Sequence, residues 1–116
     1  LVFTSSVAGS LGLPNHEAIS AAKGGIESMV RSAASTYARK GIRINAVAPG
    51  LTETRLTAGI LSSEPIKKMA TEMIPIRKIS QPEQIASSVE WLLTKAPDNF
   101  TGQVLNLDGG MSSIRA

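Results

Sequence analysis

Apolar residues fall along this chain in two patterns: short apolar-rich stretches, and a spacing of three to four. Residues 1 to 6 (LVFTSS), 42 to 48 (IRINAVA) and 103 to 107 (QVLNL) are runs closed by Gly or Pro, and they read as buried strands. Between the first two, Ile19, Ala22, Ile26, Met29, Val30, Ala33 and Tyr37 recur at helical spacing. This predicts one long helix over 16–40, with Asn15 as its N-cap and Gly41 as its stop. A strand, a long helix and a strand form a crossover unit, which requires parallel pairing. A second apolar face, made by Ile85, Ala86, Val89, Leu92 and Leu93, predicts a helix over 81–94. Ser80 and Glu83 have the spacing of a capping box, and Pro82 stands in the first turn, where its missing N–H costs nothing. Residues 55 to 79 have no long period; short helical pieces are expected around Ile60 and from Ile66 to Met73, ending at Pro75. The result is an α/β chain, one domain or part of one over 1–116, with three parallel strands and two long crossover helices.

Composition narrows the function classes. The hydrophobic fraction of 42% is enough for a packed core, and Ala, Ile, Leu and Val rather than aromatics carry it, as suits helices lying close on parallel strands. The net charge of +3 comes from basic residues scattered along the chain. No basic stripe with stacking aromatics appears, so a nucleic-acid partner is not expected. No apolar run approaches the roughly 18–20 residues of a membrane span. The absence of Cys excludes disulfides and thiolate metal sites and fits a cytoplasmic location. No cluster of His and carboxylates has metal-ligand spacing, so no metal is expected.

Candidate chemistry gathers where the first strand ends. Ser5 and Ser6 leave that strand, Gly9, Gly12 and Pro14 break it, and Lys23 follows on the helix. Ligands of open α/β sheets bind outside the carboxyl ends of the strands, where these groups meet. The stretch SSVAGSLGLPNHEAISAAKGG (5 to 25), with NAVAPG (45 to 50) and TGQVLNLDGG (101 to 110), resembles the C-terminal half of a short-chain dehydrogenase/reductase, and the resemblance covers essentially the whole chain. It implies the last three strands of a doubly wound, Rossmann-type parallel sheet. It also implies a small-molecule carbonyl or alcohol substrate and hydride exchange with NAD or NADP.

By that resemblance Ser6 polarises the substrate carbonyl and Lys23 holds the nicotinamide ribose. The family's proton-passing Tyr falls on Ile19, an aliphatic side chain with no proton to give. Pro49 and Gly50 would form the turn under the nicotinamide, the backbone around Thr52 would meet its carboxamide, and Thr54 would reach the pyrophosphate. Residues 55 to 79 would be a substrate lid lined by Leu56, Ile60, Leu61, Met69, Met73 and Ile74, unless these simply pack over the sheet edge. The long helix would build a subunit interface, giving a homo-oligomer. The family's chains are about twice as long, so this sequence is expected to belong to a longer protein whose other half carries the Gly-rich pyrophosphate turn. The first strand would then have a bare edge in this chain alone.

His16 is the only His and lies three residues before Ile19, roughly on the same helix face. It is a candidate substitute for the missing proton donor, although helical side chains lean toward the N-terminus and carry it toward the loop. The alternative is a surface residue in the first turn. For the whole chain the alternative to an enzyme is a non-catalytic module for cofactor sensing or subunit association, and Ile19 is what raises it.

Overall fold

The structure, a computed structural model, describes all 116 residues. Strands β1 (Val2–Thr4), β2 (Asn45–Pro49) and β3 (Val104–Leu107) form one parallel sheet in the order β1-β2-β3. Val2 lies opposite Asn45, and Ala46 opposite Val104. The parallel pairing is the one the crossover pattern demands.

β1 and β2 are each shorter than the stretch read as a strand, for a local reason. β1 stops at Thr4, although the Ser5 amide still donates to the Val47 carbonyl, because Ser6 turns the chain into a 3-10 turn at Val7–Gly9. β2 starts at Asn45 rather than at 42. The Ile44 amide is taken by Thr101 Oγ1 and its carbonyl by the Gly102 amide, so a loop rather than a ladder holds this segment. Pro49 ends β2, where the ladder no longer needs its missing N–H.

Helix α1 (Glu17–Tyr37) runs into a 3-10 turn at Ala38–Lys40, closed by Gly41 at φ 74°. Asn15 is not its cap. His16 occupies the N-cap position, and Asn15 sits at φ 62°, in the left-handed region that Asn tolerates better than most residues. Val30 and Ala34 of α1 meet Ile44 and Ala46 in the central cluster, with Phe3, Ile26, Ala33 and Val104 packed around it. Ala46 and Val47 point to opposite faces of β2, yet both are fully buried, since α1 and α4 (Pro82–Thr94) each pack on that strand.

α2 (Ala58–Leu61) and α3 (Glu64–Glu72) fill the segment between β2 and α4. Of the six apolar residues expected there, Leu61 and Ile74 are buried, whereas Leu56, Ile60, Met69 and Met73 face solvent. The capping box of α4 is one residue later than the Ser80/Glu83 spacing suggests: Gln81 caps, and its amide is bonded by Gln84 Oε1 at 2.8 Å. Ser80 is occupied instead by a parallel bridge to Thr52.

Candidate active site

The two serines after β1 take different roles. Ser5 is buried and donates from Oγ to Glu27 Oε1 at 2.7 Å, joining the loop to α1. A Cβ on Gly9 would lie 2.7 Å from that carboxylate oxygen and 2.8 Å from Ser5 Oγ, so only glycine lets the loop rest on the helix here. Ser6 is half-buried. Its Oγ accepts from the Ala8 amide at 3.2 Å, which leaves the hydroxyl proton free to donate. Glu27 is the residue that sequence reasoning missed. The only signal was a carboxylate standing between Ile26 and Val30 on the apolar face of α1. Ser5→Ala should cost about 1–3 kcal/mol, because it removes the hydroxyl partner of a buried carboxylate; urea unfolding measures it.

Ser6 opens onto a cleft of about 790 Å³ at the carboxyl ends of the strands. His16 and Ile19 from α1 and the turn of Pro49, Gly50 and Thr52 after β2 line the same cleft, and Thr54 stands at its wall. Leu13, Leu56, Ile85 and Val89 make the rest of the lining largely apolar. Lys23 is not among the lining residues; its Nζ donates to the Thr4 carbonyl at 3.1 Å. The structure therefore brings together Ser6, His16, Ile19, Pro49, Gly50, Thr52 and Thr54, and holds Lys23 at the outer edge of β1.

The turn after β2 is fixed from behind. Asp108 is buried and accepts from the Gly110 and Ser112 amides at 3.0 and 3.1 Å. A Cβ on Gly50 would lie 2.9 Å from the Asp108 Cα, a backbone atom with nowhere to go. Gly50→Ala should therefore push the ends of β2 and β3 apart and cost about 1–3 kcal/mol, read as a lower melting temperature.

In the bridge between Thr52 and Ser80, the Leu51 carbonyl and the Glu53 amide are the groups used, at 3.0 and 2.8 Å. The Thr52 N–H consequently points away from Ser80. Thr57 Oγ1 steadies this segment by donating to the Thr52 carbonyl at 2.7 Å. An aromatic carboxamide fits these surroundings: Pro49 and Leu51 offer apolar surface, the Thr52 amide offers a donor, and the volume lies in the range of small-molecule sites. No group of three or more His, Asp or Glu residues could hold a metal ion.

A cleft outside the carboxyl ends of a parallel α/β sheet is where such sheets bind ligands. Residues 1–112 match the family described as enoyl-(acyl carrier protein) reductase. The chain is 40% identical over 114 residues to cis-4-hydroxycyclohexanecarboxylate dehydrogenase of Sinomonas cyclohexanicum, covering 98% of this chain and 45% of that protein. It is 38% identical over 112 residues to 3-oxoacyl-[acyl-carrier-protein] reductase of Synechocystis sp., covering 96% of this chain and 43% of that protein. Gluconate 5-dehydrogenase from Burkholderia cenocepacia, solved in complex with NADP and tartrate, superposes with a TM-score of 0.91 at 26% identity, over 98% of this chain and 45% of that one. 4-Hydroxyisoleucine dehydrogenase complexed with NADH gives 0.93 at 25% identity, over 98% of this chain and 47% of that one. The chain belongs to the short-chain dehydrogenase/reductase family, and it spans about half the length of the curated relatives it matches.

Proposed function

We propose that the protein carrying this chain is an oxidoreductase that moves hydride between NAD or NADP and a small carbonyl or alcohol substrate. The observation that carries this reading is Ser6, whose uncommitted hydroxyl proton opens onto the same cleft as the Pro49–Gly50 turn, in a chain whose solved relatives hold NADH or NADP. When bound, the nicotinamide supplies or accepts the hydride. Ser6 donates to the substrate oxygen and polarises the carbonyl. Pro49, Gly50, the Thr52 amide and Thr54 would hold the cofactor, the first two under the nicotinamide, the Thr52 amide at its carboxamide and Thr54 at the pyrophosphate. Lys23 would hold the ribose by exchanging its hydrogen bond to the Thr4 carbonyl for one to the sugar. Ile19 stands where the family places its proton-passing Tyr, so proton delivery falls to another group.

The test is a spectrophotometric assay of nicotinamide reduction and oxidation with cyclic and short-chain alcohols and ketones. Turnover that falls on Ser6→Ala supports the reading. Cofactor binding with no turnover on any of these substrates would favour the second reading, a non-catalytic module for cofactor sensing or subunit association, which Ile19 itself recommends.

Self-association completes the proposal. Ala18, Ala21, Ala22, Gly25 and Met29 of α1 are exposed, and a Cβ at Gly25 would meet nothing within 4 Å, so this face suits a second α1 at close range. Sedimentation should show an oligomer, and Gly25→Arg should shift it toward monomer. No helix is long and apolar enough to cross a membrane, and a cytoplasmic location agrees with the absence of Cys.

A further inference from the structure

We propose that His16 is the proton-transfer residue of this cleft, with the Pro14 carbonyl holding its Nδ1–H and Nε2 serving the substrate oxygen. The inference rests on the oxidoreductase reading above. It begins in the loop before α1, where Asn15 takes the left-handed conformation, φ 62°. This reversal brings the Pro14 carbonyl to the His16 ring, and Nδ1 lies 2.7 Å from that oxygen.

A carbonyl oxygen only accepts, so Nδ1 must carry the proton. In the neutral ring the lone pair is then on Nε2, and in the imidazolium Nε2 holds the mobile proton. An oriented imidazole next to a reacting oxygen is the working unit of general acid–base catalysis, and a backbone carbonyl can fix its tautomer as well as a carboxylate can.

Two further observations separate His16 from an ordinary surface residue. It occupies the N-cap position of α1, yet its side chain makes no cap hydrogen bond; the ring turns back to Pro14 instead of forward to the helix amides. The same residue is one of those lining the cleft that Ser6, Ile19 and Gly50 also line. His16 is also exposed, so a proton taken from substrate passes directly to water.

The step balances in both directions. In alcohol oxidation the O–H bond breaks, its proton goes to Nε2 to give imidazolium, the C=O bond forms, and the C–H electron pair leaves as the hydride assigned to NAD or NADP. In carbonyl reduction the imidazolium Nε2–H bond breaks and its proton joins the oxygen that Ser6 polarises, while the hydride reaches the carbon.

The test has a spectroscopic arm and a kinetic arm. With ¹⁵N-labelled histidine, the His16 ring signal is assigned by its loss in His16→Gln. In the neutral ring it should show the Nδ1–H tautomer as the main form, the reverse of free histidine; a predominant Nε2–H tautomer would overturn the proposal. Kinetically, His16→Ala should lower kcat by about 10²–10⁴-fold, and added imidazole should restore part of the loss. Ser6→Ala should also lower kcat, but imidazole should leave it low. If the unaltered protein turns over and His16→Ala matches it, His16 is not the proton carrier and the oxidoreductase reading survives. If the unaltered protein binds dinucleotide but turns over no alcohol or ketone, both readings fall. An unchanged unfolding midpoint in His16→Gln separates lost chemistry from lost folding.

Discussion

Ile44→Ala will destabilise the protein by about 2–5 kcal/mol, seen as a lower urea midpoint with an unchanged slope. Ile44 is 2% exposed and lies just ahead of β2, where its side chain joins Val30, Ala34 and Ala46. Two of those neighbours are alanines, with no side-chain length to fill the space left behind. Collapse is therefore limited, which places the cost in the upper part of the range. Ile44→Val removes one methyl group and should cost about 0.5–1.5 kcal/mol. Ile42, two residues earlier, is 41% exposed. Ile42→Ala should therefore stay within about 0.5 kcal/mol of the starting protein, as for surface changes in general. Equal losses at residues 42 and 44 would contradict the packing of α1 on the sheet.

The same core shows why the fold was legible in the sequence. Ala46, Val47 and Ala48 are three consecutive apolar residues, which signals a strand covered on both faces, and the helical spacing from Ile19 to Tyr37 could not be satisfied by a strand. Local chemistry was ambiguous where a residue type serves two purposes. Asn15 suits an N-cap and a left-handed turn alike, and only the Pro14 carbonyl meeting the His16 ring decides for the turn. Ser80 with Glu83 and Gln81 with Gln84 both have capping-box spacing. The bridge from Ser80 to Thr52, a contact between residues distant in sequence, selects the second pair.

The candidate site divides along the same line. Ser6, Pro49, Gly50, Thr52 and Thr54 were named by the family resemblance, and they line one cleft because strand ends converge in a parallel sheet. The bond between Ser5 and Glu27 was not legible, since a Glu on a helix ordinarily reads as a solvated charge. Lys23 was placed at the site by resemblance, but its position on the Thr4 carbonyl depends on side-chain rotamer and edge geometry, which spacing does not carry.

Ile19→Tyr, introduced into the His16→Ala protein, should raise kcat for ketone reduction by at least about tenfold, a change of about 1.4 kcal/mol in the barrier. Ile19 lines the cleft with Ser6 and is 43% exposed, so a phenol placed there can reach both the substrate oxygen and water without stranding a buried hydroxyl. The phenol returns a positioned acid to a cleft that still has the uncommitted Ser6 hydroxyl, and a positioned acid is worth about 10²–10⁴-fold. Only part of that range is expected, because the surrounding apolar lining, Leu13 and Val89 among it, was not shaped around a phenol. In the unaltered protein the same substitution should gain much less, since under the proposal above His16 delivers the proton there. Cofactor affinity, measured alongside by titration calorimetry, should stay the same in all four proteins, which confines the effect to the chemical step. An equal gain in both backgrounds would remove His16 from proton transfer. No gain in either would mean that residue 19 does not face the reacting oxygen.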